Sequence, residues 1–303
     1  MNVSVVVPVY NGEAHLQELV ARLGVVLPST SGEFEAILVN DGSSDRSWEV
    51  ICFLAEEYSW VLGIDLMRNY GQHNALLAGI RAAQYEVIVT VDDDLQHPPE
   101  EIPALLAKLG QGYDLVYGMP GAHQRESWRI TASYLMRLIL FALGDHGAVR
   151  RSSFRAFQKR LREAFAQYQN PFVVIDALLA RAVPRTSTVI IQHSPRRSGK
   201  SNYTVGSLIS LGFTIITSNT IQPLQVAIVI GLGAAPLCLG LLIAGLVQLP
   251  TREMLWSVLA MAAGIQWLAL WIVGEYMGRM HLGRLGQPPY IVREMTTKKS
   301  DQR

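Results

Sequence analysis

Two stretches near the end of the chain, Leu224 to Leu249 and Met254 to Gly274, contain no charged residue, and no other feature restricts the fold as strongly. As helices rising about 1.5 Å per residue, each is long enough to cross the ~30 Å hydrocarbon core of a bilayer. Only Pro250-Thr-Arg-Glu253 separates them. A linker that short permits a turn and little else, so the pair is expected to form a transmembrane hairpin that enters and leaves on one side. Arg279, His281, Arg284, Arg293, Lys298, Lys299 and Arg303 follow the second stretch. A basic tail belongs on the cytoplasmic side, and two crossings then place the N-terminal part in the cytoplasm as well. The expectation is a multi-pass protein of the inner (cytoplasmic) membrane. The opening Met-Asn-Val-Ser-Val-Val-Val-Pro reads as a strand rather than a cleavable signal.

Ahead of the apolar stretches, short hydrophobic runs alternate with helical patterns: 3–9 then 13–27, 36–40 then 44–57, 61–67 then 71–83, 87–91 then 98–109, and finally 115–117. That βαβ rhythm predicts an α/β fold, a mainly parallel sheet with helices on both faces. Sheets of this kind bind ligands outside the carboxyl ends of their strands, where the strand order reverses. Polar clusters sit at those ends: Pro8-Val-Tyr-Asn-Gly-Glu13, Asn40-Asp-Gly-Ser-Ser-Asp45, Arg68-Asn-Tyr-Gly71 and Asp92-Asp-Asp-Leu-Gln96. A net charge of +1 leaves no nucleic-acid footprint. Cys52 and Cys238 fall in different regions, which excludes a disulfide framework or a metal knuckle.

The aspartate run carries the most chemistry. If the strand stays extended, side chains alternate, so Asp92 and Asp94 share one face and Asp93 takes the other. Two aligned carboxylates repel unless a cation lies between them, and a hard divalent ion that also bridges phosphates, Mg²⁺ or Mn²⁺, suits them. The plainer alternative is a solvated acidic turn ahead of the Pro98 helix. No Gly-x-Gly-x-x-Gly follows the first strand and no Gly-Lys-Ser/Thr loop occurs, which argues against a dinucleotide site or a P-loop. Asp41 at a strand end can accept from a base N–H, although Asp41 to Asp45 can equally be an Asx turn with a helix N-cap. Glu13 can equally be a first-turn carboxylate favoured by the helix dipole. Arg196, Arg197 and Lys200 form a compact cationic loop suited to phosphates or to anionic lipid.

Six motifs occur in order: Val7-Pro-Val-Tyr-Asn-Gly-Glu13, Val39-Asn-Asp-Gly-Ser-Ser-Asp45, Arg68-Asn-Tyr-Gly71, Asp92-Asp-Asp-Leu-Gln-His-Pro-Pro-Glu100, Ser153-Phe-Arg-Ala-Phe157, and Arg196-Arg-Ser-Gly-Lys-Ser-Asn-Tyr203. Together they make residues 3 to about 224 resemble glycosyltransferase family 2, most closely its polyprenyl-phosphate glycosyltransferases. The resemblance implies a GT-A-like sheet and inverting, metal-dependent transfer from a nucleotide sugar to a polyprenyl (undecaprenyl) phosphate. It implies that Pro8, Tyr10, Glu13 and Asp41 line the base and ribose. Asp92, Asp94 and Gln96 would then serve the metal and diphosphate, with Asp94 and Arg196 in catalytic roles and Arg197 and Lys200 closing over the phosphates. Residues 1–203 are expected to form the cytoplasmic catalytic domain, 204–220 an interfacial amphipathic helix, 221–279 the hairpin and 280–303 the basic tail.

A phosphate acceptor is already anionic and needs a deprotonating base far less than a sugar hydroxyl does. Relatives with an acid before Phe-Arg differ from this chain, which has Ser153, so no catalytic carboxylate transfers to that position. Asp176 stands where other members place an acceptor-side aspartate, and it can equally be an early-turn carboxylate. Arg155, Arg125 and Arg129 offer cations for the acceptor phosphate, and each can equally belong to a solvated helix face. The alternative reading is transfer to a hydroxyl of a lipid-linked or glycolipid acceptor, with Asp176 as base. Gly231, Gly233, Ala234, Ala235 and Gly240 leave room for close helix packing and a homo-oligomer.

Overall fold

The computed structural model describes residues 1–121, 152–166, 168, 173–192, scattered positions from 224 to 243, and 252–296. They divide into two units, one of which gathers the N-terminal part with 287–303, while the other includes 203–286. In the first unit, β1 (Val3–Val9), β2 (Phe34–Asn40), β3 (Val61–Leu66), β4 (Val87–Thr90), β5 (Leu115–Pro120), β6 (Arg155–Gln158), β7 (Thr186–Ile191) and β8 (Val292–Met295) form one sheet of order β7-β5-β6-β4-β1-β2-β3-β8. β1 pairs in parallel with β2 and with β4, β2 with β3, and β5 with β7. β6 and β8 run against their neighbours. The sheet is therefore mixed, with a parallel centre. Because β2 leaves β1 on one side and β4 on the other, the strand order reverses at β1, so the crevice beyond the ends of β1 and β4 is the place for a ligand.

Valine-rich strands with both faces covered read as continuous apolar runs, and β1 is buried along its whole length. Val3, Val5, Val7 and Val9 join the face packed by α1 (Leu16–Thr30), α2 (Ser47–Glu57) and α4 (Ile102–Leu109). Val6, Ile37 and Val39 join the face packed by α3 (Gln72–Ala82), α5 (Glu163–Ala166) and α6 (Ile175–Ala182). In α1 the buried Leu16, Leu19, Leu23 and Leu27 recur at helical spacing. Each such leucine withdrawn from water contributes roughly 1.5–3 kcal/mol. Helices thus cover both faces, as the apolar pattern predicts.

Two helices start later than expected, α1 at residue 16 rather than 13 and α2 at 47 rather than 44. The reason is chemical: Glu13 N–H donates to Asp45 Oδ2 at 3.2 Å, and Arg46 N–H donates to Glu13 Oε2 at 2.8 Å. These side chains tie the two loops together instead of opening helices.

In the second unit a helix runs from Arg252 to Arg284, and its segment Leu259–Arg284, of mean hydropathy 1.3, is long and apolar enough to cross a membrane. Trp256, Leu259, Met261, Trp267, Leu268 and Trp271 are all exposed along it. A helix apolar all round matches lipid rather than a one-sided core. Of the first apolar stretch only scattered helical positions are described. The expected amphipathic segment 204–220 and Lys298, Lys299 and Arg303 lie outside the described residues. The helix continues through residue 280, where the tail was expected to begin, and residues 287–296 then return to the sheet as β8 and its flanks.

Candidate active site

Four loops at the carboxyl edge of the parallel strands build the site. Asp41, immediately after β2, is 3% exposed, and its carboxylate accepts the N–H groups of Tyr70 (2.7 Å) and Gly71 (2.9 Å). Burial pushes this carboxyl above its ordinary value against the pull of those two N–H groups. Asp41 therefore ties the loop after β3 to the loop after β2. Gly42, at φ +63°, lets them touch, because a Cβ there would meet the Arg68 and Asn69 backbone at 2.4 Å.

The first loop bridges to both neighbours. Asn11, at φ 53°, accepts from Ser44 N at 2.8 Å and donates its own N–H to Ser43 Oγ at 3.0 Å. Pro8 is buried within β1, whereas the Tyr10 side chain is about half exposed at the loop surface. Tyr10 N–H donates to Asp93 Oδ2 at 3.3 Å. A Cβ on Gly12 would come within 2.5 Å of that same oxygen, so glycine is required for the close approach.

The aspartates do not follow the alternation expected of a strand. β4 stops at Thr90, and Asp93 and Asp94 lie in a turn containing Leu95 at φ 58°, a left-handed conformation that costs a branched residue energy. Asp92 accepts from Gln72 Nε2 at 2.7 Å and from Ser153 Oγ at 2.5 Å, with His97 Nδ1 3.8 Å away. Asp94 Oδ1 accepts the Gln96 N–H at 3.1 Å. Burial pushes Asp92 above its ordinary value against the Ser153 hydroxyl, and it pushes Asp93 up to about 7, with Asp92 and Asp94 adding to the rise. Asp92 and Asp93, both pushed toward protonation, are short of positive charge, and a divalent cation would supply it. Among the described residues no three of His, Cys, Asp and Glu converge as a complete ligand set. Protein ligation would be partial, as suits an ion that keeps water and phosphate oxygens.

Arg155 and Asp176 meet each other. Arg155 is 1% exposed, donates from Nε to Thr90 Oγ1 at 3.1 Å, and pairs through Nη1 with Asp176 Oδ1. This guanidinium is buried between β6 and α6 rather than presented to solvent. Arg196, Arg197, Lys200, Arg125 and Arg129 lie outside the described residues. Gln72, Asp93 and Ser153 join the site without having been singled out as ligands. Only their chain proximity to the polar loops hints at them, since the pairing of β4 with β6 is what brings Ser153 to Asp92.

Solved structures share this architecture. Glucosyl-3-phosphoglycerate synthase from Mycobacterium tuberculosis, in complex with phosphoglyceric acid, superimposes with a TM-score of 0.55 at 19% identity, covering 73% of this chain and 79% of that one. The same enzyme with Mn²⁺ and uridine-diphosphate-glucose gives 0.51 at 20% identity, covering 71% and 77%. At that level of identity the likeness shows the fold: a GT-A-like mixed sheet with polar loops and an acidic turn at its switch point. The sequence model described as Glycosyl transferase family 2 matches residues 4–180, and the chain belongs to that family. Undecaprenyl-phosphate 4-deoxy-4-formamido-L-arabinose transferase of Pseudomonas aeruginosa (strain LESB58) is 35% identical, over 96% of this chain and 89% of the relative. The protein of that name from Shewanella sediminis (strain HAW-EB3) is also 35% identical, over 97% and 92%.

Proposed function

We propose that this glycosyltransferase moves a sugar, with inversion, from a nucleotide sugar to undecaprenyl phosphate at the cytoplasmic face of the inner membrane. One observation carries the reading: the acidic turn Asp92 to Gln96 stands at the switch point of the sheet, steadied by Gln72 and Ser153. Relatives that match nearly the whole chain carry undecaprenyl phosphate in their names.

In this reading Tyr10 and Glu13 face the donor's base and ribose, and Pro8 and Asp41 shape the pocket from beneath. Asp92, Asp94 and Gln96 would hold Mg²⁺ or Mn²⁺, which would supply positive charge against the departing diphosphate. Arg196, Arg197 and Lys200 add cationic donors to the same leaving group. The acceptor phosphate is already an anion and attacks the anomeric carbon from the face opposite the nucleotide, so no side chain has to remove a proton. The Arg155–Asp176 pair supports this reading over a hydroxyl acceptor, because a carboxylate held by a buried guanidinium is engaged in packing β6 against α6.

The return of the chain to the sheet supports a hairpin. Residues 1–137, 147–202 and 287–303 belong to one unit, joined where β8 pairs with β3. A domain whose two ends both lie on one side of a bilayer requires an even number of crossings between them. With one crossing in 259–284, a second belongs to 224–249. Arg279, Arg284 and Arg293 put the shared side in the cytoplasm.

The test is a transfer assay with purified protein, undecaprenyl phosphate and a panel of UDP-, GDP- and dTDP-sugars, with Mn²⁺ or with EDTA, read by mass spectrometry of the lipid. Metal-dependent mass gain by the lipid phosphate is the expected result. Donor hydrolysis with no lipid product would remove the acceptor.

A further inference from the structure

Asp65 in β3 is a carboxylate at 1% exposure, and a charge so buried needs partners. Its Oδ1 accepts from Asn40 Nδ2 at 2.7 Å. Its Oδ2 accepts no hydrogen bond from a described residue and instead faces Arg293 Nη1 at 3.1 Å, off the donor's axis. Arg293 belongs to β8, and its Nη2 donates to Met67 O at 2.8 Å, so the guanidinium is fixed across the edge of the sheet. Asn40 is the last residue of β2 and directly precedes Asp41. With its Nδ2 held by Asp65, the Asn40 Oδ1 is turned to accept the Ser43 N–H at 3.3 Å. Ser43 Oγ in turn accepts the Asn11 N–H at 3.0 Å. An unbroken line of polar contacts therefore runs from a strand at the end of the chain, through one buried carboxylate, into both loops assigned to the donor.

We infer that Arg293 is a positioning residue for the nucleotide pocket. By holding the Asp65 carboxylate in place, it fixes the Asn40 amide, and the amide sets the Gly42–Ser43 turn against Asn11. This rests on the nucleotide-sugar reading above and adds to it a long-range control of the pocket. Arg293 touches neither donor nor acceptor in this account. Its loss leaves Asp65 buried with one partner, and the Asn40 amide is then free to turn. The expected consequence is weaker donor binding with little change in the chemical step.

The experiment uses the full-length protein in detergent and measures nucleoside diphosphate binding by calorimetry, with kcat and KM for the donor, in wild type, Arg293→Gln, Asp65→Asn and the double variant. Arg293→Gln should raise Kd and the donor KM roughly tenfold with kcat within about threefold. The double variant, which removes the buried charge along with its partner, should recover at least half of that loss on a logarithmic scale. Arg293→Lys should fall between wild type and Arg293→Gln. A purely structural role predicts a lower melting temperature with Kd unchanged, and that result would overturn the inference. So would a double variant no better than Arg293→Gln. Failure of the wild type to bind any of UDP, GDP or dTDP would overturn the nucleotide reading and this inference with it, whereas wild-type binding with an unaltered Arg293→Gln variant overturns the inference alone.

Discussion

Ser153, two residues before β6 and far from β4 in sequence, donates to Asp92, and this bond settles which way one carboxylate of the acidic turn points. Partners that orient a metal-binding carboxylate typically change metal affinity by about 10- to 100-fold when removed. Ser153→Ala should therefore raise the Mn²⁺ concentration needed for half-maximal transfer by about tenfold and leave the rate at saturating Mn²⁺ nearly intact. An unchanged metal requirement would detach Ser153 from the site. Asp94→Asn should instead lower transfer by at least ~10²-fold at any metal concentration, with the circular dichroism and membrane fraction of the wild type. Wild-type turnover by Asp94→Asn would end its metal role. At this scale the sequence was a partial guide. Asp92, Asp94, Asp41 and Asn11 stand at strand ends where the apolar runs stop, and that much is local. The assumption of an extended aspartate run fails because β4 ends at Thr90 and Leu95 turns left-handed. That turn sends Asp93 toward Tyr10 N–H, a contact between residues 83 positions apart that no local pattern encodes.

Among the elements, α2 begins where Asp45 stops it from beginning earlier. Asp45 Oδ1 accepts from Ser47 N at 3.0 Å and from Ser47 Oγ at 2.6 Å, while Oδ2 accepts Glu13 N–H. Partial burial raises this carboxyl, but the Ser47 and Glu13 donors outweigh it and hold the group below its ordinary value. A carboxyl with a depressed folded value stabilises above its unfolded pKa of about 3.9 and loses that contribution as pH falls through the folded value. Asp45→Ala should therefore cost about 1 kcal/mol of stability at pH 7, the usual net worth of a hydrogen bond to a side chain. The difference from wild type in thermal unfolding should persist down to about pH 5 and shrink below about pH 4. A gap that stays constant into that acidic range would mean that Asp45 acts by packing rather than charge. The βαβ elements were legible because their burial is periodic. β8 was not, because all four of its residues are exposed and an edge strand lacks the alternation that marks a half-buried one. Its evidence is tertiary: Thr296 Oγ1 accepting Gly63 N–H, Trp48 Nε1 donating to Glu294, and Arg293 on Asp65.

For the whole molecule, β8 turns a question of membrane topology into one of parity. A chain that leaves the catalytic unit near residue 203 and rejoins its sheet at Val292 crosses a bilayer an even number of times. One crossing by the helix Leu259–Arg284 would put β8 across the membrane from β3, which their pairing forbids. In the proposed hairpin the charge-free stretch from 224 to 249 is the second crossing, and the short linker 250–253 should then face the periplasm. Cysteine labelling decides this directly. In a background with Cys52→Ser and Cys238→Ser, Thr251→Cys should react with a membrane-impermeant maleimide on intact spheroplasts. Gln287→Cys should react only after permeabilisation. If both positions label only after permeabilisation, the helices lie on the membrane without crossing it, and the hairpin is excluded. If Gln287→Cys labels from outside while the protein still transfers sugar, an odd number of crossings separates it from a cytoplasmic catalytic domain. The β3–β8 pairing would then not exist in the membrane-bound enzyme, and the Arg293–Asp65 contact would fall with it.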